Sequence, residues 1–312
     1  MEKTKNLGIG WKLIRPLYRS KLVKSGKQER EKGELTQEEL LGKRLWINRK
    51  NAPAVEVLWY QPENYNDTDV LPVYVYAHGG AWIAFDASHP EVEAEMQNVA
   101  NDANCVVVNV NYRLLQMNPF PYQQNEMNDT VKWLISNAED LKIDPDRIVI
   151  GGGSAGGHLA AASAWMLHQE GIRLRAAILD FPFLDFVTDA DNDLGMFNGL
   201  KDKLHDLFFP QAKLSDPVIS PLRASIKQLQ EHCDTYFIVG LQDPLYAQAV
   251  RYQELLESAG VKAELKAFDT NHGYYHEKKK ANGETIQITD SRNRWNGYQH
   301  KIAILKNCYK YQ

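Results

Sequence analysis

The sequence predicts an α/β fold in which a mostly parallel sheet of eight strands has an antiparallel edge and carries helices on both faces. Short runs rich in β-branched residues alternate with longer helical patterns along the 312 residues. Most runs are separated by segments long enough for the crossover helix that parallel pairing requires. Only Asn51-Ala52-Pro53 separates the first two runs, so these are expected to pair as an antiparallel hairpin.

The strand candidates are short, whereas the helix candidates have longer patterns and two of them end at a glycine. The strands are predicted at residues 44–48, 55–60, 73–77, 105–110, 147–151, 176–181, 235–239 and 263–268. The helices are predicted at residues 90–101, 122–137, 155–169, 246–259 and 290–309. The last helix has apolar residues spaced by three and four, namely Trp295, Tyr298, Ile302, Leu305 and Tyr309. This face is expected to pack on the sheet.

Two segments do not fit the alternation of strands and helices. Residues 1–42 are rich in Lys and Glu, and residues 186–215 combine Asp-rich turns with Phe197, Phe208 and Phe209. Long insertions in compact domains are usually functional, so both are expected to form a small helical cap on one domain spanning the whole chain. A frayed tail and an ordinary surface loop are the alternatives. The run Lys278-Lys279-Lys280 is expected in a solvated loop.

Charge and hydropathy exclude several classes of partner. Lys and Arg total 36 against 40 Asp and Glu, which gives a net charge of −4 with no strongly basic stretch, so nucleic acid is not expected. No apolar run approaches the roughly 18 residues of a membrane-spanning helix. A small-molecule partner is expected, and a homo-oligomer is left open.

Cysteine usage and the start of the chain indicate a reducing cytoplasm. Cys105, Cys233 and Cys308 are odd in number and lack CxxC spacing, so neither a disulfide framework nor a thiolate zinc site is expected. Lysines and arginines interrupt the apolar residues of positions 1–18, which argues against a secretory signal. No HExxH pattern and no close cluster of His and Asp occur. The sequence therefore predicts no metal and no cofactor.

The segment Gly152-Gly153-Ser154-Ala155-Gly156 has the G-x-S-x-G spacing of a nucleophile elbow. It follows a predicted strand and opens a helix of small residues, which is the context that this motif requires. A serine on such a tight turn needs glycine on either side, because side chains there would crowd the backbone. The spacing makes Ser154 the candidate nucleophile, with the start of the helix directing amide groups at negative charge beside it.

The same residues also fit a competing motif. Gly151, Gly153 and Gly156 satisfy G-x-G-x-x-G, and Asp180 ends the next strand where a ribose-binding carboxylate would lie. A dinucleotide site, however, normally uses the first strand-to-helix turn, whereas this turn comes after several strands. A serine at the apex has no special role in binding phosphate. The elbow is the preferred interpretation.

A second motif, His78-Gly79-Gly80-Ala81-Trp82, follows the strand predicted at residues 73–77. Two successive glycines after a central strand allow backbone N–H groups to turn inward, which suits an oxyanion hole. Gly79 and Gly80 are expected to donate from this loop and Ala155 from the elbow. His78 is expected to order the loop.

These motifs resemble the α/β-hydrolase fold and its hormone-sensitive-lipase-like esterase branch, near the acetyl esterases and sugar-ester deacetylases. The similar segments are His78-Gly-Gly-Ala-Trp82, Asn111-Tyr112-Arg113, Gly-Gly-Ser154-Ala-Gly-Gly-His158 and Asp216-Pro-Val-Ile-Ser220-Pro221-Leu222. The resemblance implies a serine nucleophile whose acid and base follow in the order Asp or Glu, then His. That order places the acid at Asp243 and the base at His272. Rivals on the sequence are His276 for the base, and Asp180 and Asp185 for the acid.

The predicted function is hydrolysis of short-chain acyl esters by a serine carboxylesterase. Trp82, Phe183 and Phe209 are expected to line a small, mainly apolar substrate pocket. The esterases usually carry an acidic residue where this chain has Gly153, so a deacetylase of acetylated sugars or an aryl formamidase on the same fold is the alternative. A non-catalytic binding protein and a dinucleotide-binding oxidoreductase are more distant alternatives.

Overall fold

A computed structural model describes residues 14–24, 36–66, 68–187, 194, 197–280 and 285–310. Eight strands form one sheet with the order β1-β2-β4-β3-β5-β6-β7-β8. They are β1 (Lys43–Arg49), β2 (Ala52–Tyr60), β3 (Leu71–Ala77), β4 (Val106–Val110), β5 (Ile143–Gly153), β6 (Ala176–Asp180), β7 (Asp234–Gly240) and β8 (Ala263–Phe268). All eight strands predicted from the sequence are confirmed.

Strand direction follows from how the strands are connected. β1 pairs with β2, and β2 with β4, in antiparallel fashion. The pairs from β4 through β3, β5, β6, β7 and β8 are all parallel. The predicted parallel sheet with an antiparallel edge is therefore correct. Because the carboxyl ends of parallel strands meet at one edge, the loops after β3, β5, β7 and β8 lie close together there.

The helices surround the sheet. Within the described residues they are α1 (residues 14–24), α2 (Pro90–Ala103), α3 (Tyr122–Ser136), α4 (Ala138–Leu141), α5 (Ala155–Gln169), α6 (Phe197–Phe208), α7 (Ile226–Leu229), α8 (Tyr246–Ser258) and α9 (Ser291–Cys308). The five predicted helices correspond to α2, α3, α5, α8 and α9, each within two residues of its expected ends. None of these described helices is both long enough and apolar enough to span a bilayer.

Two layers of side chains form the core, one on each face of the sheet. α2 and α9 cover one face, where Met96 and Leu305 are fully buried. α3, α5 and α8 cover the other face, where Val131, Leu159 and Tyr252 are buried. Burial on both faces explains why the central strands are continuous apolar runs rather than alternating ones.

The expected apolar face of α9 is correct over its second half only. Ile302, Leu305 and Tyr309 are buried against the sheet, but the Trp295 side chain is 60% exposed. Trp295 stacks instead on the ring of Tyr298, with 5.7 Å between the ring centroids. The helix starts beside an open cavity, so its first turns have no sheet to pack on.

A two-stranded hairpin was not expected from the sequence. β9 (Tyr275–Lys279) and β10 (Thr285–Thr289) pair antiparallel, with Tyr275 opposite Thr289. The expectation of a loop over residues 278–280 is therefore wrong for its first two lysines, which lie in β9. Consecutive lysines lack the apolar alternation by which a half-buried strand is predicted.

The segments expected to form a cap contribute α1 and α6. Arg15 of α1 forms an ion pair of 3.1 Å with Asp206 of α6 and donates a hydrogen bond to its carbonyl. Leu204, Leu207 and Phe208 of α6 are buried. Residues 1–13, 25–35, 188–193, 195 and 196 of these segments lie outside the described residues. The cap itself stays a prediction.

Candidate active site

Ser154 lies on a strained turn between β5 and α5. Its backbone has φ 55° and ψ −112°, which side chains rarely adopt. A methyl group on Gly156 would lie 1.9 Å from the Ala77 carbonyl oxygen, and one on Gly152 would lie 2.4 Å from the Gly156 carbonyl carbon. The two glycines of the motif are thus required by close backbone approach, and they allow the turn that holds Ser154 at the carboxyl edge of the sheet.

Three residues singled out from the sequence meet at this edge. His272 Nε2 lies 2.9 Å from Ser154 Oγ, and His272 Nδ1 lies 2.8 Å from Asp243 Oδ2. Asp243 follows β7 and His272 follows β8, so neighbouring parallel strands deliver both side chains to the loop that bears Ser154. Residues that are 118 positions apart in the chain are thereby brought into hydrogen-bonding contact.

The hydrogen bonds define what this arrangement can do. Asp243 is buried, and its other carboxylate oxygen accepts a hydrogen bond of 2.8 Å from the Leu245 amide. A carboxylate held in this way accepts the Nδ1–H of His272, which leaves the Nε2 lone pair directed at the Ser154 hydroxyl. An imidazole in that tautomer can remove the hydroxyl proton while Ser154 attacks a carbonyl carbon.

The glycine loop after β3 lies beside Ser154. A methyl group on Gly79 would lie 3.7 Å from Ser154 Cβ, and Gly80 has φ 107°. The Gly80 carbonyl accepts hydrogen bonds from the amides of Ile83 and Ala84, so the loop turns back on itself. Among the hydrogen bonds between described residues, the amides of Gly79, Gly80 and Ala155 do not serve as donors. The three predicted N–H groups are available at the site.

His78 and Tyr112 fix the conformation of this loop. Their rings stack with centroids 4.3 Å apart and planes at 14°. The Tyr112 hydroxyl donates to the carbonyl of His78 at 2.9 Å and to that of Gly79 at 3.2 Å. A hydroxyl that binds both carbonyls restricts the conformations open to the loop. Tyr112 belongs to the Asn111-Tyr112-Arg113 motif, but this contact could not be expected from the motif itself.

A small apolar pocket opens beside Ser154, with a free volume of about 20 Å³. Its walls are Ala81, Trp82, Ala155, Phe183, Phe197, Leu200, Lys201 and Leu245. Of the three residues expected to bind substrate, Trp82 and Phe183 line this pocket. Phe209 does not line it and packs on Phe120 with 4.8 Å between ring centroids. Phe197, Leu200 and Leu245 were not expected, although Phe197 belongs to the aromatic group noted in residues 186–215.

The rival residues have other partners. Asp180 forms a 2.7 Å ion pair with Lys301, and Asp185 binds Arg223 Nε at 3.0 Å. Both carboxylates are buried, and each faces a cation rather than an imidazole. His276 lies in β9, beyond the turn that bears His272. The arrangement at Ser154 therefore uses His272 and Asp243.

Comparison with known proteins assigns the family. Residues 74–276 match the alpha/beta hydrolase fold family. The chain belongs to this family. The matched segment runs from β3 to β9 and so includes Ser154, Asp243 and His272. The resemblance seen in the sequence motifs is thus confirmed at the level of the family.

Several relatives of this α/β hydrolase have named activities. It is 30% identical over 219 residues to Carboxylesterase NlhH of Mycobacterium tuberculosis, covering 66% of this chain and 67% of that protein. It is 29% identical over 234 residues to Ethyl acetate hydrolase of Pseudomonas putida, covering 71% of each. The chain spans about two thirds of the length of the curated relatives that it matches.

Solved structures share the fold at lower identity. The thermophilic carboxylesterase EstE1, cloned from a metagenomic library, superposes with a TM-score of 0.74 at 19% identity, over 95% of this chain and 98% of that one. A thermostable esterase from Pseudomonas putida superposes with a TM-score of 0.73 at 20% identity, over 100% and 93%. These superpositions confirm the α/β-hydrolase fold that the motifs predicted.

Proposed function

We propose that this α/β hydrolase is a serine carboxylesterase that hydrolyses short-chain acyl esters through Ser154, His272 and Asp243. The observation that carries the proposal is the unbroken chain of hydrogen bonds from the strained Ser154 through His272 to buried Asp243. Family membership and the named carboxylesterase among its relatives support the ester-hydrolase class.

The proposed reaction has two halves. In the first, His272 removes the Ser154 proton as Oγ bonds to the ester carbonyl carbon, and the resulting oxyanion accepts hydrogen bonds from the amides of Gly79, Gly80 and Ala155. Collapse of this intermediate breaks the bond to the alcohol oxygen, which takes the proton from His272 and leaves an acyl-enzyme. In the second half, water attacks the acyl carbon with His272 again as base, which releases the acid and restores Ser154.

The apolar pocket supports a short acyl group. Its free volume of about 20 Å³ holds little more than one or two groups the size of water. Trp82 and Phe183 are buried aromatic walls, and Leu200 and Leu245 complete an apolar lining. The relative named Ethyl acetate hydrolase is consistent with this size. We place the acyl group in this pocket and expect acetyl esters to be the best substrates within the acetyl-to-butyryl range, because an acetyl methyl is about the size of one such group.

The assignment of a cap and of a cytoplasmic location belongs to the same proposal. Phe197 and Leu200 of α6 line the apolar pocket, and α1 is tied to α6 through the Arg15–Asp206 ion pair. Both observations support a cap built from the two segments. All three cysteines are free thiols, and those of Cys105 and Cys308 are buried. Free thiols suit a reducing compartment.

Active-site labelling tests the nucleophile directly. A fluorophosphonate probe should label wild-type protein and fail to label Ser154→Ala. Ser163→Ala is the matched control, because Ser163 lies on α5 with its hydroxyl bonded to the Gln124 carbonyl, away from His272. Label on Ser154→Ala equal to that on wild type, or no label on wild type, would remove the proposal.

The kinetics of variants at Asp243 and His272 test the chain of hydrogen bonds that ends at Ser154. Asp243→Asn keeps the shape of the side chain but stabilises the wrong imidazole tautomer, so kcat for p-nitrophenyl acetate should fall by about 10⁴. His272→Gln removes the base and should have a similar effect, whereas His276→Gln should not. Unchanged kcat in His272→Gln would contradict the assigned base.

A further inference from the structure

A second, larger cavity lies on the other side of Gly79 and Gly153 from the apolar pocket. Its volume is about 780 Å³, and it is bounded by β3, α2, α9 and the turn that leads into β9. We call it the Tyr76 cavity, after the β3 residue that lines it. The proposed reaction assigns the apolar pocket to the acyl group but gives no place to the alcohol, so this inference rests on the proposed function.

The Tyr76 cavity adjoins the reacting groups. Gly79 lines it and approaches Ser154, while Phe181 lines it and packs on the His272 ring with 5.0 Å between centroids. Gly153, directly before Ser154, also lines the cavity, and a methyl group there would be in van der Waals contact with the Phe181 ring and the Tyr76 hydroxyl, each at 3.4 Å. An alcohol that takes its proton from His272 can therefore lie with its remaining atoms in this cavity.

Tyr76 and Tyr274 line the cavity, with the Tyr76 hydroxyl beside Gly153 and the Tyr274 hydroxyl beside Gly297 of α9. Tyr76 is only 8% exposed, and neither its hydroxyl nor that of Tyr274 has a hydrogen-bond partner within the part of the chain that the structure describes. Burial raises the pKa of both tyrosines above the ordinary value, so both hydroxyls stay protonated. Polar groups at such depth are normally satisfied, and a ligand with hydroxyl groups would satisfy them.

The rim carries further polar side chains that make no hydrogen bonds to described residues. They are His89, Asn98, Thr289 and Ser291. The charged groups deeper in the cavity mostly satisfy one another, since Lys301 lies 2.7 Å from Asp180 and 2.9 Å from Glu95. A neutral ligand that both donates and accepts hydrogen bonds fits this lining better than an apolar group, which would leave the rim and the phenols unsatisfied.

Aromatic rings form flat surfaces at the mouth of the cavity. Trp295 is 60% exposed and stacks on Tyr298, and Phe85 across the mouth is 53% exposed. The face of an aromatic ring carries partial negative charge, so it attracts the C–H groups on the face of a saturated ring. Flat aromatic surfaces among free hydroxyl and amide groups suit a polyhydroxylated ring.

We propose that the Tyr76 cavity binds the alcohol part of the substrate and that this alcohol is a polyhydroxylated ring of about the size of a pyranose sugar. Tyr76 and Tyr274 bind hydroxyl groups of that ring, and Trp295 covers its face. The acyl group occupies the small apolar pocket, so the favoured substrate is an acetylated sugar rather than a simple alkyl ester.

A panel of acetate esters that differ only in the alcohol tests the proposal. The panel consists of a mono-acetylated methyl xyloside, cyclohexyl acetate, benzyl acetate and acetylcholine. Cyclohexyl acetate matches the xyloside in ring size but lacks its hydroxyls, so kcat/KM should be at least about tenfold higher for the xyloside. A preference for cyclohexyl or benzyl acetate would show an apolar alcohol site, and one for acetylcholine a cation site. Either result overturns the proposal.

Variants of the residues that line the Tyr76 cavity test whether the preference for the xyloside arises there. Tyr76→Phe and Tyr274→Phe each remove one hydroxyl, and each should lower the ratio of kcat/KM for the xyloside to that for cyclohexyl acetate about fivefold to tenfold. The matched control is Tyr74→Phe, since Tyr74 is also buried on the same strand but does not line the cavity. An unchanged ratio in both cavity variants would refute the hydroxyl contacts.

Trp295→Ala should lower the ratio of kcat/KM for the xyloside to that for cyclohexyl acetate, because it removes the aromatic ring that covers the face of the sugar. Trp46 is 59% exposed on β1, far from the cavity in the sheet order, so Trp46→Ala is its control. Labelling of Ser154 distinguishes a failure of the proposed alcohol site from a failure of the proposed function. A protein that labels at Ser154 and hydrolyses p-nitrophenyl acetate without preferring the xyloside refutes this inference alone, whereas absence of label refutes the proposed function.

Discussion

Trp82 donates its indole N–H to Nδ1 of His158 across 3.2 Å, and both rings are buried. The other ring nitrogen of His158 lies 2.9 Å from the Ile219 carbonyl, so it carries the proton and donates there. One neutral imidazole therefore links the glycine loop to the segment that precedes β7. This contact holds Trp82 at the wall of the apolar pocket and makes His158 a positioning residue rather than a base.

The environment of His158 predicts a loss of stability in acid. Burial lowers its pKa to about 4, and the same cause lowers the pKa of His232 to about 4. Between roughly pH 6.5 and pH 4 the unfolded chain binds a proton at each histidine that the folded protein does not bind. Stability is therefore complete above roughly pH 6.5 and falls as the pH approaches 4, by about 3 kcal/mol for each histidine.

His158→Gln isolates one of these contributions. Glutamine can accept from Trp82 and donate to Ile219, but it does not titrate, so the variant should lose about 3 kcal/mol less than wild type between pH 7 and pH 4. Urea unfolding at a series of pH values measures this difference, with His232→Gln as an independent second case. The same pH dependence in His158→Gln and in wild type would contradict the lowered pKa.

The elbow glycine Gly156 has no tolerance for a side chain. A methyl group there would lie 1.9 Å from the Ala77 carbonyl oxygen, which belongs to the central strand β3. Gly156→Ala should therefore destabilise the protein by at least about 2 kcal/mol and displace Ser154. Gly199→Ala is the control, since Gly199 lies within α6 with nothing within 4 Å, and it should gain up to about 1 kcal/mol. Thermal unfolding of both variants gives the comparison.

Lys301 neutralises the buried carboxylate of Asp180 and the partly exposed carboxylate of Glu95. It joins α9 to Asp180 at the end of β6 and to Glu95 of α2. Burial opposes its charge, but the two carboxylates outweigh this effect and raise its pKa well above the ordinary value. Lys301→Met removes the cation from both acids and leaves the Asp180 carboxylate buried without it, so it should cost about 3–5 kcal/mol at neutral pH.

The loss in Lys301→Met should shrink in acid. Its folded state can then protonate Asp180 and Glu95, which removes the uncompensated charge. Lys262→Met is the control, because the Lys262 pair with Glu264 is more than half exposed and such pairs contribute at most about 1 kcal/mol. Equal losses for the two lysine variants would contradict the role given to Lys301.

The positions of the strands along the chain could be predicted from local apolar patterns, and the meeting of Ser154, Asp243 and His272 from the residue order that the family resemblance implies. Buried parallel strands are continuous apolar runs, and loops after neighbouring strands must share one edge. The hairpin β9–β10 was missed because Lys278 and Lys279 break the apolar alternation on which strand prediction relies. Trp295 was misplaced because helical spacing shows which residues share a face but not what lies opposite that face.

The linings of the two pockets could not be predicted, since they depend on tertiary packing. Phe197 and Phe209 are both aromatic residues of the segment expected to cap the site, yet only Phe197 reaches the pocket beside Ser154. Phe209 instead completes an aromatic cluster with Phe120 and Phe186. The sequence placed Gly153 in the elbow but did not show that it also lines the Tyr76 cavity.

The wall of the apolar pocket predicts how acyl-chain selectivity can be changed, if the proposed function holds. Leu200 is a partly buried residue of α6 that lines the pocket, so Leu200→Ala should lengthen it by about two to three methylene groups. Each buried methylene contributes about 0.8 kcal/mol, so the ratio of kcat/KM for p-nitrophenyl hexanoate to that for the acetate should rise at least about tenfold. Leu265→Ala, on β8 away from the pocket, is the control. An acetate preference that survives Leu200→Ala would place the acyl group elsewhere.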